Sequence, residues 1–167
     1  MCLLKNIGRS SHYSATRARS DRPISDHNAA VAEIKEAFEK KGFQVQIRGN
    51  NLPQGSKQTE AIYRPDMLVR RRGNEDVAWI VEVEASQAGK SVVGAAVLAD
   101  VCMQIEKQQG RQKGKPDLLF VFYRPSAKLQ LARKRLERLT ENRVIEHLNE
   151  IKIMTEKRVL DEVAHAT

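Results

Sequence analysis

Three acidic side chains stand inside apolar stretches of the sequence. Asp66 lies in IYRPDMLVRRR, and Glu82 and Glu84 lie in VAWIVEVEAS. Each occupies a position where a core strand would be expected to carry another apolar residue. Unpaired carboxylates in such places repel one another and are costly to bury, whereas a hard divalent cation prefers clustered oxygen ligands. The three residues are therefore candidate ligands of a magnesium ion.

The alternation of apolar and polar residues along AWIVEVEA decides which side chains share a face. Ile80, Glu82 and Glu84 project to one face of the predicted strand, and the intervening residues project to the other. The two glutamates would then lie about 6–7 Å apart along the strand. Asp66, on the preceding strand, reaches the same face if the GNED turn sets the register. An exposed Glu-Val-Glu on a solvated sheet face is the alternative, and it needs no metal.

The elements that must position these residues follow from periodicity and turn signals. SDHNAAVAEIKEAFEKKGF predicts a helix capped by Ser25 or Asp26, and FQVQIR, IYRPDMLVRRR and VAWIVEVEAS predict three turn-linked strands. A helix, a strand at PDLLFVFYRP, an amphipathic helix, a strand at IKIMT and a short helix follow. Turn-linked strands are expected to be antiparallel and helix-linked strands parallel. The predicted fold class is α/β, with a mixed central sheet flanked by helices on both faces.

The helix SVVGAAVLADVCMQIEKQ is rich in small residues and is expected to lie close on this sheet. Gly94, Val97, Leu98, Val101 and Ile105 share one helical face, which we expect to contact the strands. We expect the helix to cover the strand face that carries Trp79, Val81 and Val83. The glutamate face would then line a cleft bounded by the first helix.

Length and charge restrict the classes of protein and partner. The 167 residues suffice for one domain, predicted at 26–167 behind a flexible basic arm at 1–25. The formal net charge of +8 favours polyanionic partners. No apolar run approaches the length of a membrane span, so no membrane partner is expected. Two cysteines, Cys2 and Cys102, indicate no disulfide framework, and a reducing, cytoplasmic compartment is the default expectation.

Pro65-Asp66 followed by Glu82-Val83-Glu84, together with the order of elements over residues 26–125, resembles the PD-(D/E)xK nuclease superfamily. The resemblance implies a restriction-endonuclease-like fold in which Asp66 and Glu82 bind Mg²⁺ (or Mn²⁺). Glu84 would occupy the position where the superfamily usually has Lys. Some members with Glu there stay active, with that acid as base or ligand, whereas others only bind. Lys90 is a candidate for a migrated ammonium group, although an ordinary loop lysine is the preferred interpretation.

The resemblance also implies a glutamate from the first helix. Glu33 borders the buried stripe of that helix, whereas Glu36 and Glu39 lie farther round towards solvent, so Glu33 is the predicted catalytic member. Basic residues expected near the site are candidates for phosphate contact if the ligand is DNA. These candidates are Arg48, Arg70, Arg71, Arg72, Lys90, Arg111 and Lys113, with Lys115 beside them.

The leading functional prediction is a Mg²⁺-dependent DNA endonuclease that hydrolyses phosphodiester bonds. A catalytically inactive nucleic-acid-binding module on the same fold is the first alternative. A protein-interaction domain that uses the charged helix KLQLARKRLERL is the second, unless that helix buries its Leu129, Leu136 and Leu139 stripe within the domain. DNA is the expected partner, and a homodimer is left open.

Overall fold

The computed structural model of the protein describes residues 26–47, 51–85, 89–124 and 129–165. The predicted basic arm at 1–25 and Arg48 lie outside these ranges. No helix within them is both long enough and apolar enough to cross a membrane.

The first helix, α1 (His27–Lys40), forms where the sequence predicts it. The Asp26 side chain accepts a hydrogen bond from the backbone N–H of Asn28 and so caps the helix start. Ala30, Ile34 and Phe38 are buried along one face, as the stripe predicts. Gly42 follows the helix with φ of +83°, a conformation that glycine adopts without strain.

Five strands form one sheet in the order β1-β2-β3-β4-β5. Strand β2 is antiparallel to both β1 and β3, and β3, β4 and β5 are mutually parallel. The prediction of an α/β fold with a mixed sheet is therefore confirmed. The strands are β1 (Gln44–Ile47), β2 (Met67–Arg70), β3 (Val77–Glu84), β4 (Asp117–Phe122) and β5 (Ile151–Thr155), and the later helices are α2 (Gly89–Gln108), α3 (Leu129–Glu141) and α4 (Glu156–His165).

Two hydrophobic clusters cover the two faces of the sheet. One contains Val81 and Val83 and packs beneath α1 and α4, whereas the other contains Ile80 and packs beneath α2 and α3. The alternation predicted along β3 is thus present. The predicted position of α2 is wrong. This helix lies over the sheet face of Ile80 and Glu82, and α1 lies over the face of Trp79, Val81 and Val83. Successive right-handed crossovers from β3 to β4 and from β4 to β5 place both connecting helices on one face, which alternation alone does not specify.

The face of α2 that contacts the sheet also differs from the prediction. Val92, Ala96, Ala99, Cys102 and Met103 are buried against the strands. By contrast, Leu98 and Val101 of the predicted stripe are 39% and 38% exposed. Both faces of α2 are apolar, and the face with the smaller side chains allows close packing on the bulky side chains of β4.

Helix α3 buries the described part of its predicted apolar stripe inside the domain, and the side chain of Leu129 lies outside the described set. Leu136 is buried, and Leu139 packs against the same cluster as α2. The exposed side of α3 remains charged.

Candidate active site

Strand pairing brings the three predicted carboxylates to one edge of the sheet. Met67 pairs with Val81, so Asp66, immediately before β2, lies next to Glu82 in the antiparallel register. Glu84 is the last residue of β3. We call the place formed by Asp66, Glu82 and Glu84 the carboxylate edge. It lies where β3 and β4 end and β2 begins.

Asp66 is held in place by the backbone of the neighbouring strand and by α1. Its Oδ2 accepts a hydrogen bond from the N–H of Val83 at 2.8 Å. The same oxygen lies 3.3 Å from Nε2 of His27, the first residue of α1. These contacts fix the carboxylate of Asp66 beside the end of β3.

Glu82 is almost completely buried, with 8% of its surface exposed. Burial, together with the negative charges of Asp66 and Glu84, raises the pKa of Glu82 from 4.5 to about 8. The Tyr63 hydroxyl donates a hydrogen bond to Oε1 of Glu82, which opposes this rise of the pKa. A carboxyl group with a pKa near 8 can both hold and release a proton close to neutral pH.

Glu84 and Tyr63 are affected by the same surroundings. Burial raises the pKa of the half-buried Glu84, the charge of Asp66 raises it further, and His27 acts in the opposite direction. Burial, followed by the charge of Glu82, raises the pKa of Tyr63 well above 10.0, so its hydroxyl keeps its proton and acts as a donor. The carboxylate edge therefore concentrates like charges that destabilise one another.

The donor atoms at this edge are compatible with magnesium, but they are not arranged as the predicted set of three carboxylate ligands around one ion. Carboxylate oxygens are the ligands that Mg²⁺ prefers. Among the residues that the structure describes, no group of three or more His, Cys, Asp or Glu side chains is placed to hold one metal ion. Magnesium is usually bound through one or two carboxylates, with water or phosphate oxygens completing its shell. The carboxylate edge fits that mode of binding and does not form a ready three-carboxylate site.

Three aromatic or imidazole side chains at this edge were not anticipated from the sequence. Tyr63 contacts Glu82, and His27 contacts Asp66. The Tyr123 ring, directly after β4, packs edge-on against His27 with 6.3 Å between ring centroids. The only sequence signals are the position of His27 beside the helix cap and of Tyr63 three residues before Asp66. Neither signal shows that these residues meet.

Glu33 is not where the predicted cleft would require it. It lies on α1, which covers the sheet face of Val81 and Val83, whereas Glu82 projects to the other face. His27 is the α1 residue that contacts Asp66. The catalytic assignment of Glu33 stays a prediction, and the helix that carries Glu33 does not lie over the sheet face of Glu82.

Most of the basic residues predicted near the site lie at the other end of β3. Arg70 pairs with Val77, the first residue of β3, and Arg71 and Arg72 enter the turn that follows β2. The backbone N–H of Lys113 donates to Asp76 at 3.2 Å, in the same region. The expectation that these residues surround the carboxylates is wrong, because a hairpin turn lies a full strand length from the open end of the hairpin.

Arg70 and Arg111 are engaged in contacts within the protein. Arg70 donates to the carbonyl of Glu75 at 2.9 Å and to Oε1 of Gln54 at 2.8 Å. Arg111 makes two hydrogen bonds to the buried Glu106, at 3.0 and 2.8 Å, which raise its pKa. Lys90 lies in the first turn of α2, which follows the carboxylate-bearing end of β3, and its side chain is outside the described set.

No protein-family model matches this chain, and neither a curated protein nor a solved structure matches it. The resemblance to the PD-(D/E)xK superfamily therefore stays a prediction.

Proposed function

We propose that this protein hydrolyses phosphodiester bonds of DNA with Mg²⁺ or Mn²⁺ at the carboxylate edge. One observation supports the proposal: three acids converge where burial and mutual repulsion raise the pKa of Glu82 to about 8 and also raise the pKa of Glu84. Such an arrangement destabilises the folded chain. Clusters of this kind are characteristic of functional sites, where an external charge compensates them.

Asp66 and Glu82 are the proposed cation ligands. A divalent ion bound there would polarise the scissile phosphate and favour ionisation of an attacking water. The Val83 N–H and His27 keep the Asp66 carboxylate in a fixed orientation. Tyr63 fixes Oε1 of Glu82 through its hydroxyl. A site fixed in this way loses little conformational freedom when it binds the substrate.

Glu84 is the proposed base. It is the less enclosed of the two β3 glutamates, and burial, followed by the charge of Asp66, raises its pKa above that of an ordinary glutamate, which makes it a stronger base. A base is most effective when its pKa lies near the working pH. Glu84 would orient the attacking water and accept its proton, in the position where the resembling superfamily usually has Lys.

Nicking of supercoiled plasmid in Mg²⁺ and in Mn²⁺ tests the proposal. We expect Asp66→Ala, Glu82→Ala and Glu84→Ala each to lose about 10²-fold or more of the wild-type rate. Glu141→Ala, which removes an exposed acid at the end of α3, is the charge-matched control and should retain that rate.

Binding measured in Ca²⁺ separates lost catalysis from lost affinity. The Asp66 and Glu82 variants should bind DNA as well as the wild type or more tightly, because removal of negative charge reduces repulsion of phosphate. Nicking that persists in both variants would place the active site elsewhere and defeat the proposal.

A catalytically inactive DNA-binding module is the second candidate function. Two features favour it: the described residues contain no ready three-ligand group, and Glu84 replaces the usual Lys. If this candidate is correct, the wild-type protein binds DNA equally well with and without Mg²⁺. It does not nick linear, branched or supercoiled DNA. Glu84→Lys, included in the same assay, tests whether the usual residue supports nicking.

A further inference from the structure

Two loops are fastened together at the end of the sheet opposite the carboxylate edge. One is the turn between β2 and β3, and the other follows α2. The Asp76 carboxylate accepts hydrogen bonds from the backbone N–H groups of Lys113 at 3.2 Å and of Gly114 at 3.0 Å. Asp76 therefore connects the turn between β2 and β3 to the loop that follows α2.

Gln112 provides a second, buried connection between the same loops. Its side chain is 2% exposed, and its Oε1 accepts from the N–H of Val77 at 2.8 Å. Its Nε2 donates to the carbonyls of Val77 at 2.9 Å and of Gly114 at 3.1 Å. A buried amide with all these bonds made fixes the relative position of the two loops.

This connection presents basic side chains from both loops on one surface. The Arg71 guanidinium lies 5.7 Å from the centre of the Trp79 ring, a cation–π contact that restricts its position. Arg71 and Lys115 line the same cleft of about 260 Å³. We call the exposed set Arg71, Arg72, Lys113 and Lys115 the basic edge. Arg70 and Arg111 are not part of it, because Glu75, Gln54 and Glu106 engage them.

The acids near the basic edge leave an excess of positive charge there. Asp76 accepts the two loop N–H groups described above, and Asp117 lies 3.5 Å from the Lys152 ammonium group. Glu75 is the remaining exposed acid of the turn. The four basic side chains of the two connected loops therefore face solvent beside the carboxylates of Glu75 and Asp76, and the surface keeps a net positive charge.

We infer that the basic edge binds the phosphate backbone of nucleic acid at a place separate from the carboxylate edge. The inference rests on the proposed DNA partner, but it requires neither the cation nor hydrolysis. Strand β3 has 8 residues between the two edges, which corresponds to about 23 Å at a rise of about 3.3 Å per residue. DNA advances about 3.4 Å per base pair along its axis, so the two edges are about seven base pairs apart.

Arginine and lysine suit such a backbone contact. Guanidinium groups match phosphate geometry, and lysine acts as a strong point charge. Contacts of this type carry no base information, so the basic edge would hold DNA of any sequence. Because it is distant from the carboxylates, the basic edge would bind the same duplex at a second place, several base pairs from the point of cleavage.

Salt-dependent binding of a duplex of about 24 base pairs, followed by fluorescence anisotropy in EDTA, tests the inference. Each lost phosphate contact reduces the slope of log K against log salt by about 0.9. We expect Arg71→Ala/Arg72→Ala/Lys113→Ala/Lys115→Ala to reduce that slope by about 3 to 4. Arg72→Ala/Lys113→Ala, which changes only two exposed side chains, should reduce it by about 2 and tests the inference if the fourfold variant fails to fold.

The matched control removes the same amount of charge elsewhere. Lys134→Ala/Arg135→Ala/Arg138→Ala/Lys157→Ala changes four exposed basic residues of α3 and α4 and should leave the slope at the wild-type value. An equal loss in this control, an unchanged slope in both basic-edge variants, or wild-type protein that does not bind the duplex would overturn the inference. EDTA prevents metal-dependent cleavage, so an inactive carboxylate edge leaves this measurement unaffected. Loss of hydrolysis without loss of binding appears in the nicking assay and leaves this measurement unchanged.

Discussion

Glu82 and Glu106 are two buried glutamates with opposite surroundings. They are 8% and 0% exposed, respectively. Glu106, on α2, accepts two hydrogen bonds from Arg111, at 3.0 and 2.8 Å, and one from the N–H of Gln54 at 2.6 Å. Glu82 accepts one from the neutral hydroxyl of Tyr63 and one from the backbone of Asp66, and it lies beside the negative charges of Asp66 and Glu84.

The difference shows what separates a structural acid from a candidate functional one. Both side chains are buried, so burial alone does not distinguish them. A guanidinium compensates Glu106 within the chain, and the pair connects the end of α2 to the loop that carries Gln54. The carboxyl of Glu82 lies beside like charges instead, so compensation must come from a proton or from a cation outside the chain.

The largest expected effects are on stability, and the first appears when each glutamate is replaced by glutamine. Glu106→Gln leaves Arg111 without its charged partner, and we expect the free energy of unfolding to fall by about 3 kcal/mol. That figure lies at the low end of the usual range because the Arg111 side chain is 40% exposed. Glu82→Gln keeps an acceptor for Tyr63 and removes a charge that is unfavourable in the fold, so it should cause no loss at pH 8. Urea denaturation of both variants measures the difference.

Equal destabilisation by the two substitutions would contradict the comparison. In the nicking assay, the order of the two variants should be reversed. Glu82→Gln should be inactive, whereas Glu106→Gln should keep the wild-type rate at temperatures where it remains folded.

The pH dependence of stability gives a second effect of comparable size. The pKa of Glu82 is about 8 in the folded chain, against 4.5 ordinarily, so between these values the folded state binds a proton that the unfolded state does not. The contribution of Glu82 is therefore fully present below about pH 4.5 and is lost as the pH rises through about 8. We expect a loss on the order of 4 kcal/mol across that window.

Unfolding free energies measured at intervals across this window test the expectation. The decline should be present in the wild type and much smaller in Glu82→Gln, which cannot ionise there. An equally steep decline in Glu82→Gln would show that other groups cause the pH dependence.

The smallest expected effect concerns two histidine–aspartate contacts. His27 lies 3.3 Å from Asp66, and His147 lies 3.2 Å from Asp100. Asp100 also accepts three backbone N–H groups, from residues 146–148. His147→Gln should therefore leave nicking unchanged. His27→Phe removes the polar contact with Asp66 and should slow nicking about tenfold, whereas His27→Gln, which keeps a donor, should recover part of that rate. Equal slowing by all three variants would indicate a general loss of folding.

Local sequence patterns predicted the elements and the alternation of β3 because these depend on neighbouring residues. The cap at Asp26, the buried stripe of α1 and the separation of Val81 from Glu82 all follow from periodicities of 3.6 and 2. The placing of α2 could not be predicted in the same way. Both of its faces are apolar, and the handedness of the β3–α2–β4 crossover decides which side of the sheet it covers.

Of the candidate site, only the carboxylate residues could be predicted from the sequence. Asp66 and Glu82 stand out because acids interrupt apolar runs, whereas His27 and Tyr63 join them through contacts that no local pattern encodes. The basic residues were misplaced for a related reason. Arg71 is close to Asp66 in sequence, but the extended strand β2 separates the two residues in space.

The two edges also differ in how much of the chain is needed to assemble them. Asp66 reaches Val83 across 17 residues and Tyr63 reaches Glu82 across 19, so the hairpin of β2 and β3 brings the acids together by itself. The contacts of Gln112 with Val77 and of Gly114 with Asp76 span 35 and 38 residues, because all of α2 lies between. The carboxylate edge is therefore a product of short-range pairing, and the basic edge exists only after α2 has docked. A chain in which α2 detached would keep its acids adjacent while its two basic loops separated.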